Sequence, residues 1–121
     1  YGVTGNIPVN LAINTQNKKL IICYFGTSAN RIVIVDIDPE SPTYHKILTI
    51  IIYSPALSCI SVYTRDNFAY IFSNGAYLKL NILNYTYTII NNSNISAVSF
   101  FTEYENVILV ISGNGYIHKL V

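Results

Sequence analysis

Along this chain, apolar positions gather into short runs of β-branched and aromatic residues, cut at close intervals by Asn, Asp, Gly, Pro and Lys. Such runs bounded by turn formers predict strands. They fall at 10–14, 20–25, 31–37 and 44–52, then at 58–63, 68–72, 76–83 and 85–90, then at 95–101, 107–112 and 116–121. Residues 1–9, with Gly2, Gly5 and Pro8, predict a lead-in loop or a stray edge strand. Asn74-Gly75 between two apolar runs predicts a tight hairpin, because both residues tolerate the positive φ of a primed turn. Asp38-Pro39-Glu40-Ser41-Pro42 predicts a turn that two prolines hold out of any ladder. No stretch combines a sustained 3.6-residue period with caps, so essentially no helix is expected.

The same layout recurs. Thr15, Thr64 and Thr102 each stand eleven residues before Gly26, Gly75 and Gly113. Each is preceded by an apolar-small-apolar triplet: Leu11-Ala12-Ile13, Ile60-Ser61-Val62 and Val98-Ser99-Phe100. The threonines are 49 and 38 residues apart, which brackets the repeat of a four-stranded propeller blade. The fold predicted is therefore one all-β region over residues 1–121. It consists of consecutive four-stranded antiparallel β-propeller blades at about 10–52, 58–90 and 95–121, the last one strand short. A β-sandwich is the alternative. Blades bury their faces on one another, and an uncovered face forgoes on the order of 10 to 20 kcal/mol, as much as a domain's whole stability. Further blades of the same chain, or self-association that closes the ring, are expected.

The residues also carry a resemblance. Leu11-Ala12-Ile13-Asn14-Thr15-Gln16-Asn17-Lys18-Lys19-Leu20-Ile21-Ile22, followed by Asn30-Arg31-Ile32-Val33-Ile34-Val35-Asp36, resembles a blade of the YVTN and related WD40-like propeller repeats. In those repeats a polar turn joins two strands and a third strand ends in Val-Ile-Asp. Here Gln16-Asn17, Arg65-Asp66 and Glu103-Tyr104 stand where such repeats commonly carry proline, aspartate and glycine. The resemblance implies two full blades and part of a third across most of residues 10–121.

Composition narrows the function. Half of the residues are hydrophobic (51%) and 11% are charged, which fits strands buried on both faces and excludes disorder for most of the chain. A net charge of +1 with scattered Lys and Arg supplies no basic stripe, so nucleic acid is not an expected partner. The apolar run 47–62 is broken by Thr49, Ser54, Pro55 and Ser58 and reads as strands, not as a transmembrane segment. Because the chain opens at Tyr1, its true N-terminus is expected upstream, and location is read only as a slight preference for the cell surface or exterior. Cys23 and Cys59 are too few and too far apart for a disulfide scaffold or zinc site; they read as two small buried thiols, with a single disulfide as the alternative. Asn84-Tyr85-Thr86, Asn91-Asn92-Ser93 and Asn94-Ile95-Ser96 fit the glycosylation pattern, making Asn84, Asn91 and Asn94 candidate glycan sites. With fourteen Asn in the chain, however, chance supplies about two such motifs.

Catalytic signals are weak. Asp36, Asp38 and Glu40 alternate like the start of a calcium loop, but Pro39 interrupts them, so a solvated strand end is expected. His45 and His118 fall in predicted strands without partners at ligand or triad spacing. No Gly-x-Ser-x-Gly elbow or phosphate loop is present, and Ser61 and Ser99 suit the small positions of a blade's first strand. Tyr63, Tyr70, Tyr77, Phe100, Phe101 and Tyr104 read mostly as packing between blades, Tyr104 being the best placed for a ligand. No catalytic residue, cofactor or metal ligand is assigned. The expected function is a non-enzymatic scaffold for protein binding or adhesion, its recognition residues on loops: Thr27 to Asn30, Ser54 to Pro55, Asn91 to Asn94 and Tyr104. The alternatives are a fragment of a propeller enzyme, lactonase-like or quinoprotein, with catalytic residues in other blades, and a β-sandwich adhesion module.

Overall fold

The computed structural model describes residues 7–26, 30–53, 61–95, 99–113 and 115–120. Among these the chain is all-β, with no helix. The strands are β1 (Ile7–Asn14), β2 (Lys19–Phe25), β3 (Asn30–Asp36), β4 (Ile47–Tyr53), β5 (Ser61–Arg65), β6 (Phe68–Ser73), β7 (Ala76–Asn81), β8 (Tyr87–Asn91), β9 (Ser99–Tyr104), β10 (Val107–Ser112) and β11 (Ile117–Lys119). They form three separate antiparallel meanders, β1-β2-β3-β4, β5-β6-β7-β8 and β9-β10-β11. No helix among the described residues is long and apolar enough to cross a membrane.

Pattern dictates these strands. β2 (Lys-Leu-Ile-Ile-Cys-Tyr-Phe) and β3 (Asn-Arg-Ile-Val-Ile-Val-Asp) are apolar on both faces, and their central residues are buried on both. β7 alternates instead: Ala76, Leu78 and Leu80 are buried, while Tyr77, Lys79 and Asn81 are half-buried. Pro8 lies inside β1, which begins at Ile7 and not at Asn10, and so takes in the end of the segment expected as a lead-in loop or an edge strand. This is allowed because β1 has a neighbour only in β2, so the missing proline N–H faces no ladder partner on its other side.

Three local expectations are corrected. β4 begins at Ile47, not Tyr44, because Thr43 to His45 form a turn in which His45 takes φ +67°; His45 is therefore not a strand residue. β7 stops at Asn81, and Ile82 and Leu83 lie in the next turn. The marker threonines are not equivalent in the fold: Thr15 lies in the β1–β2 turn, Thr64 pairs with Ala69, and Thr102 pairs with Leu109. Thr15 keeps the same distance to the next strand as Thr64 because a four-residue first turn replaces the two-residue turn of the second unit.

A better internal repeat sits at the ends of β3 and β7. Asp36 and Asn81 each close a third strand, and each accepts an N–H two residues on through Oδ1: Asp38 N at 2.9 Å and Leu83 N at 2.9 Å. Each also holds the far end of its loop with its backbone, donating to Lys46 O and Thr86 O and accepting from His45 N and Tyr85 N. His45 and Tyr85 occupy matching left-handed conformations, φ +67° and +65°. Ile37 N then reaches Lys18 O, as Ile82 N reaches Asn67 O, so each third-to-fourth turn is tied to the preceding hairpin in the same way.

The sheets pack face to face in chain order. Ile21, Cys23, Ile32, Ile34 and Ile51 of the first sheet meet Ala69, Ile71, Leu78 and Leu80 of the second, with Ile82 just beyond β7. The opposite face of the second sheet carries Tyr70 and Phe72, which join Ile108 and Val110 of the third. Aromatic stacking bridges that second interface: Tyr63 lies on Phe101 with ring centroids 5.0 Å apart, and Phe72 meets Phe101 at 4.9 Å. A third cluster, Ile22, Tyr24, Val33 and Val35, occupies the first sheet's face turned away from the second. Strand β1 adjoins β5, and β5 adjoins β9, so the first strands of successive sheets stand side by side.

Candidate functional site

Of the residues singled out above, Thr27, Ser54, Pro55 and Cys59 lie outside the described residues, as do the side chains of Ser99 and Phe100. Asn30 opens β3 and is fully buried, its Oδ1 accepting from Gly26 N at 3.4 Å, so it does not belong to an exposed loop. Tyr104 is 69% exposed at the end of β9. Asn84, Asn91 and Asn94 are exposed; Asn84 Oδ1 accepts from both Thr86 N and Thr86 Oγ1, and the Asn94 carbonyl lies 3.1 Å from His118 Nε2. Cys23 is buried in the core between the first two sheets.

Asp36 overturns the expectation of a solvated strand end. It is 2% exposed, takes hydrogen bonds from Ser41 Oγ and Thr43 Oγ1, each at 2.5 Å, and faces Lys19 Nζ at 3.6 Å. The Ser41 hydroxyl foremost, then Thr43, the Asp38 amide and Lys19, hold its carboxyl well below the usual carboxylate range, with burial opposing them. All of its bonds go to its own loop and neighbouring strand, so this is a turn anchor. Among the described residues no group of His, Cys, Asp and Glu is arranged to hold a metal ion.

A different place carries unspent polar capacity. Between the second and third sheets a cleft of about 130 Å³ is lined by Arg65, Asp66, Phe68, Tyr70, Lys79 and Ile108. The register explains the lining. Arg65 pairs with Phe68, Phe68 with Asn81, and Tyr70 with Lys79, which places Arg65, Phe68, Tyr70 and Lys79 on the one face of the second sheet that meets the third. Ile108 comes from the facing side of β10.

Both cations are poorly matched within the protein. Arg65 Nε lies 3.6 Å from Asp66 Oδ2, but that carboxylate is 68% exposed, and Arg65 Nη1 is buried without a hydrogen-bond partner among the described residues. Lys79 Nζ stands over the Phe68 ring at 4.3 Å from its centroid and 5.9 Å from that of Tyr70, in no described ion pair. Glu103 pairs with Ile108 and shares its face, yet it is exposed and bridges to neither cation. Burial raises the Tyr70 hydroxyl's pKa, with Tyr77 and Asp66 adding to the effect and Arg65 opposing it, and burial likewise raises that of Tyr77. Both phenols are therefore protonated donors at neutral pH.

The turn that presents Arg65 is locked from the other side. Asn14 Nδ2 donates to Thr64 Oγ1 at 2.6 Å and to Asp66 O at 2.8 Å, and Asn17 Nδ2 donates to Asp66 O at 3.0 Å and Asn67 Oδ1 at 3.1 Å. The first sheet thus fixes the hairpin whose other flank forms the cleft. Sequence reasoning missed the site. The available signal was Lys79, a charge placed between Leu78 and Leu80 on a strand whose sequence neighbours Tyr70 and Phe72 mark an aromatic interface.

The chain matches no protein-family model, and no curated protein shows significant similarity to it.

Proposed function

We propose that the chain is part of a β-propeller that acts as a rigid, non-enzymatic platform for protein binding. The reading is carried by the side-by-side placement of β1, β5 and β9, the first strands of successive meanders. In a ring of blades the first strands gather at the axis and each sheet packs on the next. The middle sheet supports this reading over a sandwich, since it buries both faces, one in each of two separate clusters. The loops at the ends of such blades are where a partner would be recognised. YVTN-like ancestry stays part of the proposal, as does coverage of the outer faces by further blades or by a second copy of the chain.

Those outer faces are apolar. Leu11, Ile13, Ile50 and Ile52 lie on the first sheet's face away from the second, and Ile111 and Ile117 on the third sheet's face away from it; all are exposed. Projection images of the full-length protein by electron microscopy test the proposal. A closed ring of blades is the expected outcome, and two layered sheets without a central axis would overturn it.

A further inference from the structure

We infer that the cleft between the second and third sheets binds a small organic carboxylate. Arg65 lines the cleft with a guanidinium whose Nη1 has no acceptor among the described residues, and a guanidinium matches a carboxylate in geometry and charge. Lys79 adds a second cation in the same cleft, held over the Phe68 ring. The remaining walls are Phe68, Tyr70 and Ile108, which suit a ring or short branched chain. A free inorganic phosphate fits less well, since Phe68 and Ile108 would strip part of its hydration without returning donors, whereas a carboxylate can turn its apolar end to them. The volume of about 130 Å³ holds a single aromatic ring and not a nucleotide.

Asp66 and Glu103 are the nearby anions that compete for these cations. Among the described residues Asp66 engages Arg65 through Nε alone, and Glu103 makes no ion pair. The inference stands on the cleft alone and does not depend on how the sheets continue.

The test is titration of the full-length protein with benzoate, benzamide and inorganic phosphate, followed by heteronuclear NMR. Benzoate is expected to bind saturably with a Kd on the order of 1 mM, moving the resonances of Arg65, Tyr70, Lys79 and Ile108, with benzamide and phosphate at least about tenfold weaker. Arg65→Gln should weaken benzoate by about tenfold, and Lys79→Gln by a smaller factor. Glu103→Gln should leave binding unchanged or tighten it. Because Lys79→Gln and Glu103→Gln remove no buried hydrogen bond, they keep the test readable if Arg65→Gln disturbs folding. Equal binding of benzoate and benzamide, stronger binding of phosphate, or benzoate shifts confined to other residues would each overturn the inference.

Discussion

Asn14 and Asp36 show how single polar side chains organise this fold. Asn14 is 3% exposed and uses both ends of its amide: Nδ2 donates to Thr64 Oγ1 and Asp66 O, and Oδ1 accepts from Asn17 N at 2.8 Å. Asn14→Ala should destabilise the protein by about 2 kcal/mol in urea denaturation, because it removes the bonds to Thr64 Oγ1 and Asp66 O and strands the Asn17 amide at once. Asn14→Asp keeps the acceptor and loses the donor, so it should recover little of that loss; full recovery would show that the donated bonds are unimportant. Asp36 makes a pH prediction. Its folded pKa lies below the unfolded value of about 3.9, so the folded state binds fewer protons and the stabilisation is complete above that value. It is lost as pH falls through the lowered folded pKa. Thermal midpoints followed downward from about pH 4 should therefore drop, and the drop should be smaller in Asp36→Asn, which starts from a less stable protein.

At the scale of the element, the hairpins divide by their backbone needs. Gly75 takes φ +79° while Asn74 does not join it, so Asn74-Gly75 is a hairpin with one left-handed residue and not the doubly left-handed turn expected. The doubly left-handed turn is Glu105-Asn106, with φ +50° and +66°. No turn signal marks Glu105, because Glu has no preference for that conformation and is placed there by the register of β9 on β10. Glu105→Asn should stabilise by about 0.5 kcal/mol, and Gly75→Ala should cost about 1 kcal/mol by backbone strain alone, since nothing lies within 4 Å of the added Cβ. Chemical denaturation of both variants checks the pair. A much larger cost at Gly75 would point instead to its links with the following loop, where Gly75 N donates to Ile95 O and Asn92 N to Gly75 O.

At the scale of the molecule, two interfaces of different character join three sheets. The first is aliphatic and the second aromatic, with Phe72 fully buried at its centre. Phe72→Ala should cost about 3 to 5 kcal/mol, enough to unfold a marginal domain, whereas replacing Ile111 or Ile52 by Lys should leave stability nearly unchanged. If the outer faces are covered as proposed, the same Lys substitutions should instead weaken assembly of the full-length protein, which sedimentation would register.

The strands themselves were legible because a β-strand is a local pattern: β-branched runs broken by Asn, Asp, Gly and Pro leave few other options for residues such as Leu20 to Phe25 or Val107 to Ser112. The meander order followed from the short turns. What one sequence alone did not reveal was which face of each strand meets which sheet, since β2 and β3 are apolar on both sides and give no alternation to orient them. The equivalence of Asp36 with Asn81, and the gathering of Arg65, Lys79, Phe68 and Ile108 around one cleft, depend on cross-strand register and on the stacking of sheets. Residues far apart in the chain meet there because apolar faces must be buried, and that requirement is met only in three dimensions.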